Sequence, residues 1–305
     1  MRITALAGGV GGAKMLAGLA RAVDPASLTA IVNTGDDDDI YGVHVSPDVD
    51  IVTYRLAGIG DAERGWGIAG DTFHLVDSLD ALGGAAWFRL GDRDFATCLF
   101  RTDALRAGRS LSEVTDAIRR RLGIEARILP MTNDRVRTRF TTTEGRTLEF
   151  QEYFVKERQQ PEIAEVVLDG VEDASPAPGV LDSIAAADTV VICPSNPVVS
   201  IGPILALDGV RSAVAAHPRV VAVSPIVQGK PLKGPADKLL HAVGAASTAS
   251  GVAELYRDLC DLFVVDATDP DEVPKVEALG LRAIALDTIM HDDDAAARLA
   301  TEFLA

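Results

Sequence analysis

A glycine-rich run near the N-terminus, with the sequence GGVGGAK at residues 8–14, places four glycines within five positions. The residues before it, Ile3–Ala7, predict a short buried strand, and the apolar residues of 15–23 recur at helical spacing. Because glycine has no Cβ, such a turn bends sharply and lets the backbone approach a ligand closely. A strand, a glycine turn and a helix in this order are typical of nucleotide-binding α/β proteins.

The helix after the turn would point free N–H groups and the positive end of its dipole at whatever the turn holds. Phosphate fits that position, and Lys14 would add a point charge to it. The run matches neither the phosphate loop that ends in Gly-Lys-Ser/Thr nor a regular Gly-x-Gly-x-x-Gly. The motif therefore predicts a nucleotide without identifying it, and a tight turn that binds nothing is the alternative.

The rest of the chain repeats the alternation of strand and helix. Residues 28–32 predict a second strand, and further apolar runs follow at residues 188–193, 220–223, 262–266 and 282–286 with helices between them. This order predicts an α/β fold with a doubly wound, Rossmann-like parallel sheet. We assign residues 1–57 and 183–305 to this nucleotide-binding core, and residues 58–182 to an inserted, mainly helical subdomain that carries a β-hairpin around residues 138–150.

Acidic residues follow the second strand, at the end of the sheet where ligands bind in open α/β folds. Asp36 and Asp37 can hold Mg²⁺ or accept from a ribose hydroxyl, although a solvated acidic loop is the alternative for each. Asp48 and Asp50 come next. Asp48 can cap the helix that begins there, and the pair also suits metal binding or base catalysis. We expect a functional role for at least one of the two.

Residues 58–100 are rich in glycine and aromatic residues and contain both tryptophans, Trp66 and Trp87. Flat rings beside small residues and charges predict a wall for a planar ligand. A helical subdomain that packs its own aromatic rings is the alternative. The charged residues within 89–94 can also form an ion-pair network that has no chemical role.

The net charge of the chain restricts the classes of partner that we expect it to bind. A formal net charge of −16 repels nucleic acid and anionic membranes, so we expect small-molecule substrates, no nucleic acid and no membrane. We expect neither a membrane span nor a secretory signal, because no apolar run approaches about 20 residues and Arg2 is followed directly by a strand and the glycine turn. Three widely separated cysteines (Cys98, Cys193, Cys260) predict reduced core thiols and a cytoplasmic location, and the five histidines lack the spacing of a zinc site.

Together, the ordered motifs resemble a known family. They are GGVGGAK (8–14), NTGDD (33–37), SPDVD (46–50), LGDRD (90–94), ILPM (128–131), PSNP (194–197) with SIGP (200–203), and VSPI (223–226). The chain is similar over nearly its whole length to the 2-phospho-L-lactate transferase family of coenzyme F420 biosynthesis. That family transfers a phospholactyl or phosphoenolpyruvyl group from a guanosine-diphosphate-activated donor to the terminal ribityl hydroxyl of the deazaflavin Fo (7,8-didemethyl-8-hydroxy-5-deazariboflavin). GMP leaves, and Mg²⁺ is required.

The resemblance implies roles for particular residues. Asp50 and Arg89 would contact Fo, Asp50 would orient or deprotonate the attacking hydroxyl, and the ring would lie near Trp66 and Phe88. Arg89 stands where some relatives have lysine, which keeps the charge and changes the geometry. The metal would be held by Asp36, Asp37 or Asp50. The glycine turn and the Pro194–Pro197 loop would hold the nucleotide through Gly9, Val10, Gly11, Gly12, Lys14, Asn33, Ser195 and Asn196. The family also implies a homodimer.

Two other functions share parts of this pattern. A related group with the same fold and glycine turn binds nucleotide sugars and regulates cell-wall metabolism, and it differs from the transferases in residues 46–50 and 87–94. A nicotinamide-dependent oxidoreductase would rest on the glycine turn alone. Between the two donors of the transferase family, the resemblance to actinobacterial members and the abundance of Ala, Asp and Arg favour phosphoenolpyruvyl.

Overall fold

The structure is a computed structural model that describes residues 1–232 and 234–305. Its strands are β1 (Ile3–Ala7), β2 (Leu28–Val32), β3 (Asp38–Ile40), β4 (Val43–Val45), β5 (Arg127–Pro130), β6 (Arg137–Thr142), β7 (Thr147–Glu149), β8 (Ile163–Asp169), β9 (Thr189–Ile192), β10 (Val220–Val223), β11 (Ile226–Val227), β12 (Lys230–Pro231), β13 (Leu262–Asp266) and β14 (Arg282–Leu286). Seven of them form one parallel sheet in the order β14-β13-β10-β9-β1-β2-β5. The predicted doubly wound α/β fold is confirmed.

Helices cover both faces of this sheet. They are α1 (Gly9–Ala22), α2 (Pro47–Leu56), α3 (His74–Ala81), α4 (Asp92–Arg106), α5 (Leu111–Arg121), α6 (Val180–Ala186), α7 (Gly202–Ala206), α8 (Val210–Ala215), α9 (Ala236–Ala242), α10 (Ala249–Leu255), α11 (Val273–Glu277) and α12 (Asp293–Leu304). Two π-helical segments, Glu152–Lys156 and Pro197–Ile201, and three short 3₁₀ segments, Pro25–Ser27, Val171–Asp173 and Pro270–Glu272, complete the elements. None of the helices in the described part of the chain is long and apolar enough to cross a bilayer.

Two hydrophobic cores, one on each face, hold the sheet between the helix layers. All five residues of β1 are buried, as expected for a strand that is covered on both sides. On one face, the core contains Met15 of α1, Val52 of α2 and Phe303 of α12. On the other face, it contains Ile204 of α7 and Leu240 of α9. This division matters for the site, because loops and helices from both faces meet above the sheet.

The centre of the sheet is the point where its winding reverses. From β1 the chain crosses to β2 and then β5 on one side, and it later returns to β9 on the other side of β1. Loops that leave β1 and β9 therefore diverge at neighbouring positions, which opens a crevice at the carboxyl ends of the strands. The glycine turn follows β1 and the Pro194–Pro197 loop follows β9, so both lie at this crevice.

The predicted division of the chain does not follow the sheet at residues 58–182. β5 lies within that range, and it pairs in parallel with β2 as an edge strand of the large sheet. Helices α3 to α5 form the connection before β5, while the predicted hairpin, β6 and β7, comes after it. The hairpin is confirmed, and a third strand, β8, joins it. The periodicity of a four-residue strand is too short to show which sheet it enters, so this assignment needed the structure.

Candidate functional site

A cleft of about 850 Å³ opens at the carboxyl ends of the central strands. Its middle is formed by Gly8–Gly11 of the glycine turn and by residues 194–196 after β9. Two further groups of side chains line other parts of it. We call the first the charged end, which comprises Asp50, Trp66, Phe88, Arg89 and Asp94. We call the second the aromatic end, which comprises Phe150, Phe154, Pro231, Leu232 and Pro235.

The glycine turn lies tightly against the loop after β9. Gly9 adopts the left-handed region with φ 63°, and a Cβ at Gly11 would lie 2.4 Å from the carbonyl oxygen of Pro194. The backbone N–H of Gly8 donates to Ser195 Oγ at 3.0 Å, and Ser195 Oγ donates to the Gly8 carbonyl at 2.8 Å. The absence of side chains at the turn therefore allows the two loops to form one continuous floor of the cleft.

The structure places the predicted nucleotide residues in two layers. Five of them line the cleft directly with the turn and the neighbouring loop, namely Gly9, Val10, Gly11, Ser195 and Asn196. Lys14 also lines it, and its Nζ donates to the Met290 carbonyl at 2.7 Å. Gly12 and Asn33 are buried beneath the floor. The Asn33 amide donates to Asp48 Oδ2 at 3.0 Å and to the Val199 carbonyl at 3.2 Å, so it positions neighbouring groups.

The side chain of Asp48, which belongs to α2, lies at the N-terminus of α1. Its Oδ1 accepts from the backbone N–H of Gly9 at 2.7 Å, and it does not cap its own helix, where it lies within the first turn. Burial raises the pKa of Asp48 to about 6, against the effect of the hydrogen bonds from Asn33 and Gly9. Asp48 therefore does not cap α2 and it lines the cleft, while its functional role stays a prediction.

Asp36 faces the same cleft, and its Oδ1 is buried without a hydrogen-bond partner among the described residues. Burial raises the pKa of Asp36 well above its ordinary value and the charge of Asp48 raises it further, while the neighbouring side chains of Asn33 and Thr138 lower it. Asp37 does not line the cleft: its oxygens accept from Ser46 Oγ at 2.7 Å and contact His44 Nε2 at 3.0 Å. Two buried carboxylates with an unpartnered oxygen fit a divalent cation, which would satisfy them. Among the predicted metal residues, Asp36 lines the cleft together with Asp48, while Asp50 lies with Asp94 and Cys98 in a cluster whose ligand atoms are all within 4.8 Å of one another. The choice of metal ligands stays a prediction.

Asp50 belongs to a buried ion pair at the charged end. Arg101 of α4, whose side chain is 1% exposed, donates to both Asp50 oxygens, with Nη1 at 3.1 Å from Oδ2. The same Nη1 donates to the His44 carbonyl at 3.2 Å. Burial raises the pKa of Asp50, and the Arg101 guanidinium opposes that shift. A carboxylate that already accepts from a guanidinium on both oxygens is a poor metal ligand, although its remaining lone pairs can accept from a hydroxyl.

Asp94 is a site residue that the sequence analysis did not single out. Tyr54 donates to Asp94 Oδ1 at 2.7 Å. Burial raises the pKa of Asp94 to about 7, and the charge of Asp50 raises it further. The spacing of these residues was the available signal, since Asp50 and Tyr54 are four apart on α2, while Asp94 and Arg101 are seven apart on α4. Such spacings place side chains on one face of a helix, and here the two faces meet.

Arg89 lines the cleft beside an aromatic cluster. Its Nη1 donates to Asp77 at 2.6 Å, and its guanidinium lies 4.5 Å from the centre of the Phe73 ring. Trp66 and Phe88 line the cleft as expected, whereas Trp87 lies along a separate shallow groove. At neutral pH this end thus offers the cation of Arg89 and flat apolar surface to the same ligand.

The acidic residues around Arg89 serve mainly as helix caps. Asp92 accepts from the backbone N–H groups of His74 at 3.1 Å and Leu75 at 2.9 Å, at the start of α3. Asp71 accepts in turn from the backbone N–H groups of Arg93 and Asp94 at the start of α4. These reciprocal caps, rather than an ion-pair network, fix the segment that carries Arg89.

Comparison with known proteins decides the family. A family model described as 2-phospho-L-lactate transferase CofD matches residues 3–302. The chain belongs to the CofD family. Among its relatives, a phosphoenolpyruvate transferase of Streptomyces griseus is 49% identical, covering 100% of this chain and 98% of that protein. A 2-phospho-L-lactate transferase of Methanopyrus kandleri is 44% identical, covering 100% and 97%.

The fold of this CofD chain also has a solved counterpart. The crystal structure of a UPF0052 family protein from Bacillus halodurans matches with a TM-score of 0.68 at 17% identity, covering 100% of this chain and 98% of that one. At such low identity the likeness concerns the fold alone. It confirms the α/β architecture, and the CofD assignment rests on the sequence matches.

Proposed function

We propose that this chain transfers a phosphoenolpyruvyl group from a guanosine-diphosphate-activated donor to the terminal ribityl hydroxyl of Fo, releasing GMP. The 2-phospho-L-lactyl group is the second possible cargo. The observation that carries the proposal is the cleft itself, in a CofD-family chain. One cleft contains the glycine turn at the start of α1, the buried carboxylates of Asp36 and Asp48, and a charged end lined by the rings of Trp66 and Phe88, which supports a diphosphate, a cation and a planar acceptor as its ligands.

The reaction needs the donor diphosphate and the acceptor hydroxyl to meet over the glycine turn. The hydroxyl oxygen forms a bond to the phosphorus that carries the enolpyruvyl group, the bond from that phosphorus to the bridging oxygen of GMP breaks, and the hydroxyl proton passes to the Asp50 carboxylate. Val10 and Gly11, in the first turn of α1, bring backbone N–H groups and the helix dipole to the diphosphate. Lys14 adds a positive charge on the same side.

Asp36 and Asp48 are the residues that we propose to hold Mg²⁺. Both face the cleft, both have pKa values raised by burial, and one oxygen of Asp36 is unpartnered in the described structure. Bound there, Mg²⁺ would neutralise the diphosphate and stabilise charge on the leaving oxygen. Asp37 instead fixes the loop through Ser46, and Asp50 is engaged with Arg101.

Asp50 and Arg89 are the residues that we propose to bind Fo. The ion pair with Arg101 fixes the orientation of the Asp50 carboxylate, so that a remaining lone pair can accept from the acceptor hydroxyl and orient it. Burial raises the pKa of Asp50 even beside the Arg101 guanidinium, so this carboxylate can both orient the hydroxyl and accept its proton. Arg89 and the rings of Trp66 and Phe88 would contact the deazaflavin system.

The test supplies the purified protein with Mg²⁺, Fo and each guanylated donor, and identifies the product by mass spectrometry. The two possible products differ by two hydrogens, so the mass shows which group was transferred. We expect Fo to be consumed with release of GMP, and Asp50→Asn to lower turnover strongly. Failure of the wild-type protein to consume or bind Fo would overturn the proposal. Binding of a nucleotide sugar without Fo would favour the regulatory alternative.

The oligomeric state and the location of the protein are separate from this test, and a homodimer and a cytoplasmic location stay predictions.

A further inference from the structure

Three side chains that line the cleft share one contact behind its wall. Arg64, Trp66 and Arg89 line the cleft, whereas Phe73 lies outside the lining. The guanidinium of Arg89 lies 4.5 Å from the centre of the Phe73 ring, and that of Arg64 lies 5.3 Å from it, both within the reach of a cation–π contact. The rings of Trp66 and Phe73 meet edge to face, with centres 6.5 Å apart. Phe73 is therefore the point at which separate segments of this wall meet.

The backbone around Phe73 is tied to the start of α4. Phe73 immediately precedes α3, and Asp92 accepts from Thr72 Oγ1 at 2.6 Å and from the backbone N–H of His74 at 3.1 Å. The N–H of Asp92 donates in turn to the Thr72 carbonyl at 2.8 Å. Arg89 lies three residues before Asp92 on the same corner of the chain. The ring and the arginine are thus held on one fixed support.

The ring restrains Arg89 in a way that its ion pair does not. Arg89 Nη1 lies 2.6 Å from Asp77, but the two side chains are 47% and 59% exposed, and exposed ion pairs are weak and screened by salt. The negative face of an aromatic ring attracts a guanidinium and fixes the surface over which it lies. Because the Phe73 ring also attracts Arg64, it offsets the repulsion between the two cations. Phe73 therefore restricts the rotamers of Arg89 where the ion pair alone would let the side chain move.

We propose that Phe73 is a positioning residue for the acceptor, which acts through Arg89 and does not itself touch the acceptor. This inference rests on the proposed function, in which Arg89 binds Fo. An arginine side chain that is free to rotate must be ordered when its ligand binds, and that ordering costs affinity. Phe73 holds the guanidinium in place beforehand, so the ordering cost is met in the free protein.

The experiment measures the affinities for Fo and GDP separately by isothermal titration calorimetry in the presence of Mg²⁺. The variant is Phe73→Leu, which keeps apolar volume without a flat ring. We expect the Kd for Fo to rise about three- to tenfold, the cost of ordering one long side chain. The Kd for GDP should stay within about twofold, because the glycine turn and the loop after β9 lie on other elements. Phe73→Tyr should keep the wild-type affinity for Fo, since it retains the ring.

A double-mutant cycle separates positioning from a general loss of structure. Arg89→Met removes the group through which Phe73 acts, so adding Phe73→Leu to Arg89→Met should weaken Fo binding by less than about twofold. Phe95→Leu is the matched control, because it removes a partly buried ring of α4 that lines the separate shallow groove. That control should bind Fo within about twofold of the wild type.

Four results would overturn the inference. They are Fo binding by Phe73→Leu within twofold of the wild type, an equal loss for GDP, an equal loss in Phe73→Tyr or Phe95→Leu, and an undiminished loss in the Arg89→Met background. If Phe73→Leu does not fold, as judged by its thermal unfolding, Phe73→Met replaces it and keeps volume without a ring. If the wild type does not bind Fo at all, the proposed function itself fails.

Discussion

Replacing Arg101 by methionine should destabilise this protein far more than an average substitution. The guanidinium is 1% exposed, the Asp50 side chain is 8% exposed, and the two share hydrogen bonds through both carboxylate oxygens. Methionine has a similar length but no charge, so the variant leaves a buried carboxylate without a counter-charge. Breaking a buried pair in this way costs about 3–5 kcal/mol. The loss of the bond from Arg101 to the His44 carbonyl acts in the same direction.

Urea unfolding at pH 8 measures this cost as the change in the free energy of unfolding. Arg211→Met is the matched control, because Arg211 pairs with Asp258 at the surface with side chains 45% and 60% exposed. That control should lose less than about 1 kcal/mol. The double variant Arg101→Met with Asp50→Asn should lose less than the sum of its single substitutions, since it leaves no unpaired charge.

The pH dependence gives the sharper test of the same reasoning. Burial already raises the pKa of Asp50, and removal of the opposing guanidinium would raise it further. A carboxyl whose folded pKa lies above its unfolded pKa takes up a proton on folding, so its cost grows as pH rises through that range. The deficit of Arg101→Met should therefore be smaller at pH 5 than at pH 8. A deficit no larger than that of Arg211→Met, or one that does not change with pH, would refute the argument.

Three further predictions concern the cleft. Gly11→Ala and Gly18→Ala should both lower the melting temperature, because in each case the Cβ would lie 2.4 Å from a backbone atom, but only Gly11→Ala should weaken GDP binding in calorimetry. Asp94, with its pKa raised to about 7, should cost folding stability increasingly as pH rises from about 4 to 7, by up to about 1.4 kcal/mol for each pH unit. Asp94→Asn should therefore gain stability relative to wild type between pH 5 and pH 8 in urea unfolding, and parallel curves would contradict this. Asp36→Asn should be more stable than wild type at pH 8 without metal, and Mg²⁺ should raise the melting temperature of wild type but not of Asp36→Asn; equal shifts would exclude Asp36 as a ligand.

The sheet could be predicted because its signals are local. Each buried strand is visible as a short apolar run, and alternation with helices specifies a parallel sheet. Once the sheet is parallel, the loops after β1 and β9 must lie at the same edge, which brings Gly11 to Pro194. The place of β5 in this sheet was not predicted, because four residues have too little periodicity to distinguish an edge strand from the neighbouring hairpin.

The sequence by itself determined the α/β fold, the family and the location of the glycine turn and the Pro194–Pro197 loop, since these depend on periodicity and on motifs within a few residues. Only the tertiary structure decided the partners of the acidic side chains. Asp50 and Arg101 are 51 positions apart, and they meet because α2 and α4 place their side chains within hydrogen-bonding distance of one another. Likewise, the packing of separate elements brings the Asp48 carboxylate to the Gly9 N–H group and the Phe154 ring to Gly234. Long-range side-chain pairs leave no local periodic trace, because their distance is set by how whole helices and loops fit together.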